Sequence, residues 1–137
     1  MSRTLLMIKP DATERGLVGH IVSRLERAGF RIVQMRLERL IPQRARRFYA
    51  VHEGKSFLDG LVEFMSSGAV IPMVLEKENA VEDLRTLIGA TNPANAACGT
   101  LRQEIGVDVQ ANSVHASDSD ANAATEIAFF FPGEGAA

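Results

Sequence analysis

The segment Asn112-Ser113-Val114-His115-Ala116-Ser117-Asp118-Ser119 sets a histidine among small polar residues, just ahead of a stretch that closes in Phe129-Phe130-Phe131. Ser117, Asp118 and Ser119 are N-cap residue types for a helix through Glu126 and Ile127, and a helix N-terminus offers unpaired N–H groups to an anion. A lone histidine there reads first as a hydrogen-bonded surface residue, with a catalytic histidine as the alternative. His20 and His52 serve as controls, His20 falling on the polar side of a helix. Lys9 follows directly on a buried apolar run, where a charge often points into a site. No carboxylate or Cys and His cluster has metal-site spacing, and no Gly-rich loop ends in Lys-Ser or Lys-Thr. The expected metal ligands within the protein are therefore none, and a P-loop is not expected.

These residues need elements to hold them. Leu5 to Ile8 is a short apolar run closed by Lys9-Pro10-Asp11, which reads as a buried strand. Val18, Ile21, Val22, Leu25 and Ala28 fall at helical spacing, with Gly29 where a left-handed C-terminal cap is wanted. From Gln34 to Leu40 the chain alternates Met35 and Leu37 against Arg36 and Glu38, predicting a strand with one buried and one wet face. Pro42 suits the first turn of a helix bearing Ala45, Phe48 and Tyr49, and Leu58, Leu61, Val62 and Met65 mark another that ends at Ser66-Ser67-Gly68. A strand over Ala69 to Leu75 contains Pro72, whose missing N–H predicts a bulge or a place near the strand's start. Asn79 and Glu82 have capping-box spacing ahead of Val81, Leu84 and Ile88. Gly89 to Gly99 and Gly106 to Ser119 read as loops. Strands and helices interleave with antiparallel connection lengths, which predicts an α+β layer of helices on a small sheet.

The 137 residues suit one domain, with enough chain to enclose a core without metals or disulfides. Hydrophobic residues at 46% and charged residues at 23% are ordinary for a globular protein, and a net charge of −2 gives no basic surplus for holding a nucleic-acid backbone. The single cysteine, Cys98, excludes an intrachain disulfide and is expected to be a small buried residue. The apolar run at the amino terminus is too short for a signal core or a membrane span, so the expected setting is cytoplasmic.

Asn112-x-x-His115-x-Ser117-Asp118-Ser119 resembles the active-site signature NxxHGSDS of nucleoside diphosphate kinases. Ile8-Lys9-Pro10-Asp11, Phe48-Tyr49-Ala50-x-His52, Leu61-Val62-Glu63-Phe64-Met65-x-Ser67-Gly68, Gly89-Ala90-Thr91-Asn92-Pro93 and Gly99-Thr100-Leu101-Arg102 are similar to the family's other blocks, in order, from about Arg3 to about Phe131. The resemblance implies a ferredoxin-like βαββαβ core, one domain over residues 1–137, and ping-pong transfer of the γ-phosphate of a nucleoside triphosphate, usually ATP, to a nucleoside diphosphate. It implies His115 as the nucleophile, phosphorylated on Nδ1, with Glu126 on the other ring nitrogen. Arg85, Thr91 and Arg102 match the family's phosphate ligands, Lys9 and Asn112 its ribose and phosphate contacts, and Phe57 its base-stacking aromatic, with Val109 on the other face. Tyr49, His52 and Ser117 match supporting positions. Mg²⁺ would arrive on the nucleotide. The implied partners are nucleoside tri- and diphosphates and a second copy of the chain, in a homo-oligomer built from dimers that pair Gln34 to Leu40 with its twin; no membrane and no specific nucleic acid are expected.

The residues taken singly keep other readings open. Arg85 fits a solvated helix face, Thr91 and Arg102 fit loop hydrogen bonding, Phe57 fits a core contact beside Leu58, and Glu126 fits an exposed helix position. A nucleotide-binding regulator or nucleic-acid-binding protein that had lost transfer would keep the fold, but would not require His115, Glu126, Arg85, Thr91, Arg102 and Lys9 together. Two departures stand out: Ala116 replaces the family's usual glycine, and Ala69 stands where many members have proline.

Overall fold

In the computed structural model, which describes residues 1–134, the chain runs β1 (Ser2–Ile8), α1 (Pro10–Glu14), α2 (Val18–Arg27), β2 (Arg31–Met35), β3 (Glu38–Arg39), α3 (Pro42–Phe48), a 3₁₀ turn (Ala50–His52), α4 (Leu58–Met65), β4 (Ala69–Lys77), α5 (Ala80–Ile88), a 3₁₀ turn (Pro93–Asn95), α6 (Leu101–Ile105), β5 (Val114–Ala116) and α7 (Asp120–Phe130). The sheet order is β2-β4-β1-β5 with every pair antiparallel, and β3 continues alongside β4. Without the short helices, β1-α2-β2-β4-α5-β5 is the ferredoxin-like βαββαβ order.

The unbroken apolar run in β1 has a simple cause. Leu6 and Ile8 point into a core shared with Ile21, Leu25, Met73, Leu84 and Ile88, under α2 and α5. Leu5 and Met7 point the other way, into a core with Tyr49, Leu58, Val62, Met65, Ile127 and Phe130, under α3, α4 and α7. Successive side chains leave opposite faces of a strand, so covering both faces demands an apolar residue at every position. The central strands β1 and β4 meet that demand, and they carry the site's framework.

Several expectations are corrected. The strand expected over Gln34 to Leu40 is β2 at Arg31–Met35, a break, and the two-residue β3. Its supposed inner face is outside, with Met35 43% and Leu37 64% exposed. A register shift between Ile32 and Gln34 reorients this edge strand, so the alternation belongs to an edge rather than to a core face. Pro72 lies well inside β4, paired with Met7, and its carbonyl accepts from the Arg36 amide. A residue's N–H and C=O face the same neighbour in an antiparallel ladder, so Pro72 turns its missing donor toward the break between β2 and β3, where no ladder bond is lost.

Asn79 does not build a capping box. It sits in the left-handed region at φ 53° with no side-chain cap bond, and Ser2 Oγ accepts from the Ala80 amide instead. Gly29 takes the left-handed angle expected of it, φ 94°, one residue past the Ala28 cap of α2. Cys98 is exposed rather than buried. The helix α1 and the strand β5 fall where only a turn and a loop were expected, and α6 lies between the two expected loops; each spans three to five residues, too short to display a period.

Candidate active site

His115 is the middle residue of β5 and pairs with Met7 of β1. It is therefore held on a strand, not in a capping loop, and its ring faces the layer that contains α3 and α7. There Nε2 lies 2.9 Å from Glu126 Oε1, and the same carboxylate oxygen accepts from Ser117 Oγ at 2.6 Å. Glu126 comes from the inner side of α7, whose N-terminus Ser119 caps by accepting from the Asn122 amide. With Nε2–H donated to the carboxylate, the remaining nitrogen, Nδ1, keeps its lone pair. The Phe48 and Tyr49 rings stand edge-on to the imidazole at 5.2 and 6.0 Å. Burial pushes the Tyr49 phenol well above its ordinary range, with the Glu126 charge adding to the effect, so it stays neutral.

Two guanidinium groups bracket the histidine from behind. Arg102 of α6 donates to the Val114 carbonyl at 2.7 Å and to the Gly89 carbonyl at 3.0 Å, while Arg85 of α5 donates to the Ala116 carbonyl at 3.3 Å. Arg102 is only 6% exposed, and its Nε is buried without a partner among the described residues. Burial, with Arg85 adding to it, lowers the Arg102 pKa to about 10. A buried cation with a donor unspent is suited to an anionic ligand. Gly89 permits this approach: its φ is +88°, and a Cβ there would lie 2.5 Å from Thr100 Oγ1. Ala116 has no such requirement, since the only non-glycine residues with positive φ among those described are Asn79 and Ser113.

The Lys9 ammonium, at the end of β1, donates to the Gln110 carbonyl at 2.7 Å and to Asn112 Oδ1 at 3.0 Å. Burial lowers its pKa to about 8; Arg102 pushes the same way, and Asp11 and Asp108 oppose. The Asn112 amide donates in turn to the carbonyls of Thr91 and Val109, tying the loop after α5 to the loop before β5. Thr91 itself is exposed.

The other wall is apolar and open. Phe57, just before α4, is 50% exposed, which removes the core alternative, and Val109 on the opposing loop is 56% exposed. The two segments approach each other at Gly60, where a Cβ would lie 3.7 Å from the Gln110 side chain. His52 bridges toward His115, stacked on Tyr49 at 6.2 Å and edge-on to Phe57 at 5.1 Å. Its pKa is lowered by burial, then by Lys55 and His115, and Lys55 Nζ lies 3.3 Å from its Nδ1.

His115, Glu126, Ser117, Tyr49, Arg85 and Arg102 thus converge on one centre, Lys9 and Asn112 adjoin it through the strand ends, and Phe57 and Val109 stand exposed beyond His52 and Asn112. Sequence reasoning missed Phe48 as a wall of the histidine, although it belongs to the same helical stripe as Tyr49. It also missed Asp11, whose Oδ2 accepts from the Ser113 amide at 3.1 Å; its place two residues after Lys9 was the available signal. Among the described residues no group of three or more His, Cys, Asp or Glu is arranged to hold a metal ion.

A family model described as nucleoside diphosphate kinase matches residues 2–135. A nucleoside diphosphate kinase of Chlorobaculum parvum is 55% identical over 134 residues, covering 98% of this chain and 96% of the relative. The crystal structure of the Aquifex aeolicus nucleoside diphosphate kinase superposes with a TM-score of 0.94 at 42% identity, covering 97% of each chain. The structure of a halophilic nucleoside diphosphate kinase from Halobacterium salinarum in complex with CDP gives a TM-score of 0.93 at 42% identity, covering 98% of this chain and 90% of the other.

Proposed function

Because the chain belongs to the nucleoside diphosphate kinase family, and is a phosphotransferase that passes the γ-phosphate of a nucleoside triphosphate to a nucleoside diphosphate, we propose that His115 is the residue that carries the phosphoryl group between them. The observation that supports it most directly is the 2.9 Å contact of Nε2 with Glu126, which leaves Nδ1 as the nucleophilic nitrogen. In the first half-reaction Nδ1 attacks the γ-phosphorus in line, the bond to the bridging β-oxygen breaks, and the nucleoside diphosphate leaves. In the second, a terminal oxygen of the acceptor's β-phosphate attacks the same phosphorus and the N–P bond breaks. Glu126 stabilises the positive charge that grows on the ring during attack, with Ser117 holding the carboxylate in place.

Arg85, Arg102 and Thr91 meet the charge on the migrating group; two cations already fixed on carbonyls beside His115 need little rearrangement to do so. Lys9 and Asn112 bind the sugar and phosphates, Tyr49 and His52 line the approach, and Phe57 and Val109 take the base between apolar faces. A stack of that kind does not read base edges, and the CDP bound by the H. salinarum relative supports a pyrimidine acceptor here as well. Mg²⁺ enters as part of the nucleotide substrate. The experiment is incubation with γ-labelled ATP: acid-labile, alkali-stable label on the chain is expected, and its absence would sink the His115 reading.

The whole chain acts as one domain, and we read it as a homo-oligomer built from dimers. What supports this is the open outer edge of β2, flanked by exposed Met35 and Leu37. With the strand at Arg31–Met35, the paired segment moves from Gln34 to Leu40 to that range. Light scattering over a dilution series tests it, and a monomer fully active at every concentration would refute it. No helix among the described residues is long and apolar enough to cross a membrane. A cytoplasmic setting suits the exposed Cys98 thiol.

A further inference from the structure

Between Asn112 and Val114 the backbone makes a turn that an L-residue resists. Ser113 has φ 78°, and the Val114 amide donates to the Asn112 carbonyl at 3.0 Å, closing a three-residue γ-turn of the rare, strained hand. Strain of this kind persists only where the surroundings over-determine it. Here the turn separates Asn112, on the sugar side, from the strand that begins at Val114 and carries His115.

We propose that Asp11 is a positioning residue of the transfer site, bracing the left-handed Ser113 and so fixing the offset between Asn112 and His115. The inference rests on the reading of His115 as the phosphoryl carrier. Ser113 is wholly buried, so its amide has no water to turn to, and it donates to Asp11 Oδ2 at 3.1 Å. The Ser113 carbonyl accepts from the Lys9 amide at 3.0 Å, and its Oγ donates to the Ile105 carbonyl at 3.3 Å. Every polar group of Ser113 is therefore held, and the segment Lys9 to Asp11 holds two of them. Arg15, one turn along from Asp11, lies 3.8 Å from Oδ2 and donates to the same Ile105 carbonyl.

Asp11 occupies this place at a cost. Its Oδ1 is buried with no partner among the described residues, and burial pushes the carboxyl above its ordinary range against the pull of Lys9 and Arg15. A residue that merely began α1 would keep its carboxylate in water. The same short segment supplies Lys9 to Asn112 and Asp11 to Ser113, so the end of β1 sets the position of both halves of the turn.

The test compares turnover and backbone amide exchange in Asp11→Ala, Asp11→Asn, Ser113→Gly and the double variant Asp11→Ala/Ser113→Gly. Asp11→Ala is expected to lower kcat about 10- to 100-fold, as small misplacements of reacting groups do, and to speed exchange of the Ser113 amide. Asp11→Asn keeps an oxygen to accept from that amide and stays close to the unaltered chain. Glycine adopts the left-handed angle without a brace, so adding Ser113→Gly to Asp11→Ala returns most of the lost turnover. Unchanged turnover in Asp11→Ala, or a loss that Ser113→Gly does not relieve, would overturn the proposal. Should Asp11→Ala alone not fold, a double variant that folds and turns over supports the brace, and one that does not would overturn it. Label on the unaltered chain tests the His115 reading separately, because Ser113 exchange reports the brace whichever residue carries phosphate.

Discussion

The two ends of the candidate site are built to opposite rules. At the histidine end Lys9, Asn112, Arg102 and Ser117 are almost wholly buried and, apart from Arg102 Nε, spend their polar atoms on fixed partners: Gln110, Thr91 and Val109, Val114 and Gly89, Glu126. At the other end Phe57 and Val109 stand half in solvent, and the contacts of Phe57 are a histidine edge and the Lys55 ammonium 5.8 Å from its ring centre. On the proposed reading charge moves at the first end, so its donors must be oriented before reaction, since turning them during it would add to the barrier. On the same reading the second end has only to hold a flat ring of any identity, and loose apolar contact suffices. Catalytic order and base tolerance are thus separated in space, and a change at one end should leave the other's signature intact.

The sharpest way to break that separation is to remove the proposed nucleophile. His115→Ala is expected to lower transfer by more than about 1000-fold and to abolish labelling by γ-labelled ATP, while nucleotide binding measured by calorimetry persists. Retained transfer would remove His115 from its role. Glu126→Ala should come next, lowering kcat by about 10- to 1000-fold with a small change in KM, because the carboxylate matters most once the ring is charged. Unchanged turnover would return Glu126 to an ordinary helix position.

Phe57→Ala probes the open end. It should weaken binding of purine and pyrimidine nucleotides alike by about 1 to 3 kcal/mol, seen as a rise in KM with kcat nearly constant. Loss confined to one base would mean edge recognition, and a fall in kcat would mean that the two ends are mechanically joined.

How far each end was legible in the sequence follows from the same contrast. The helix α2 was readable because burial repeats at Ile21 and Leu25 and a left-handed glycine ends it. The strand β5 was not, since Val114, His115 and Ala116 are too few to establish a period and are held by pairing with residues more than a hundred positions away. The Gln34 to Leu40 segment misled because an edge strand with exposed Met35 and Leu37 has the same alternation as one with a buried face. Site residues were legible through a signature that spacing alone could not interpret. Only the packing of α7 against β1 brings Glu126 to the imidazole, and only burial tells Arg102, with two of its nitrogens on carbonyls, from Arg85, which remains exposed. Phe57 was ambiguous because a residue at the start of a buried stripe lies one rotation from either environment, and exposure decided it.

The smallest expected effect concerns Lys9, and it separates binding from stability by sign. Its pKa of about 8 lies below the ordinary 10.5 because the site desolvates the ammonium. As pH rises through 8 the free enzyme loses this charge, so nucleotide KM should rise, by at most about tenfold between pH 8 and 9. Stability moves the other way. Below pH 8 the lysine is charged in both folded and unfolded chains, and the cost of burying it is fully present. Between 8 and 10.5 the unfolded chain binds more protons than the folded one, so this lysine's contribution to stability rises with pH. The quantity to measure is therefore the difference between the unaltered chain and Lys9→Met, in both KM and the midpoint of thermal unfolding, from pH 7 to 10. A KM that climbs with pH only in the unaltered chain, while its midpoint gains on that of the variant, would tie the buried ammonium to nucleotide phosphate. Parallel KM profiles in the two proteins would mean that Lys9 acts only as a strut between β1 and the Gln110–Asn112 loop.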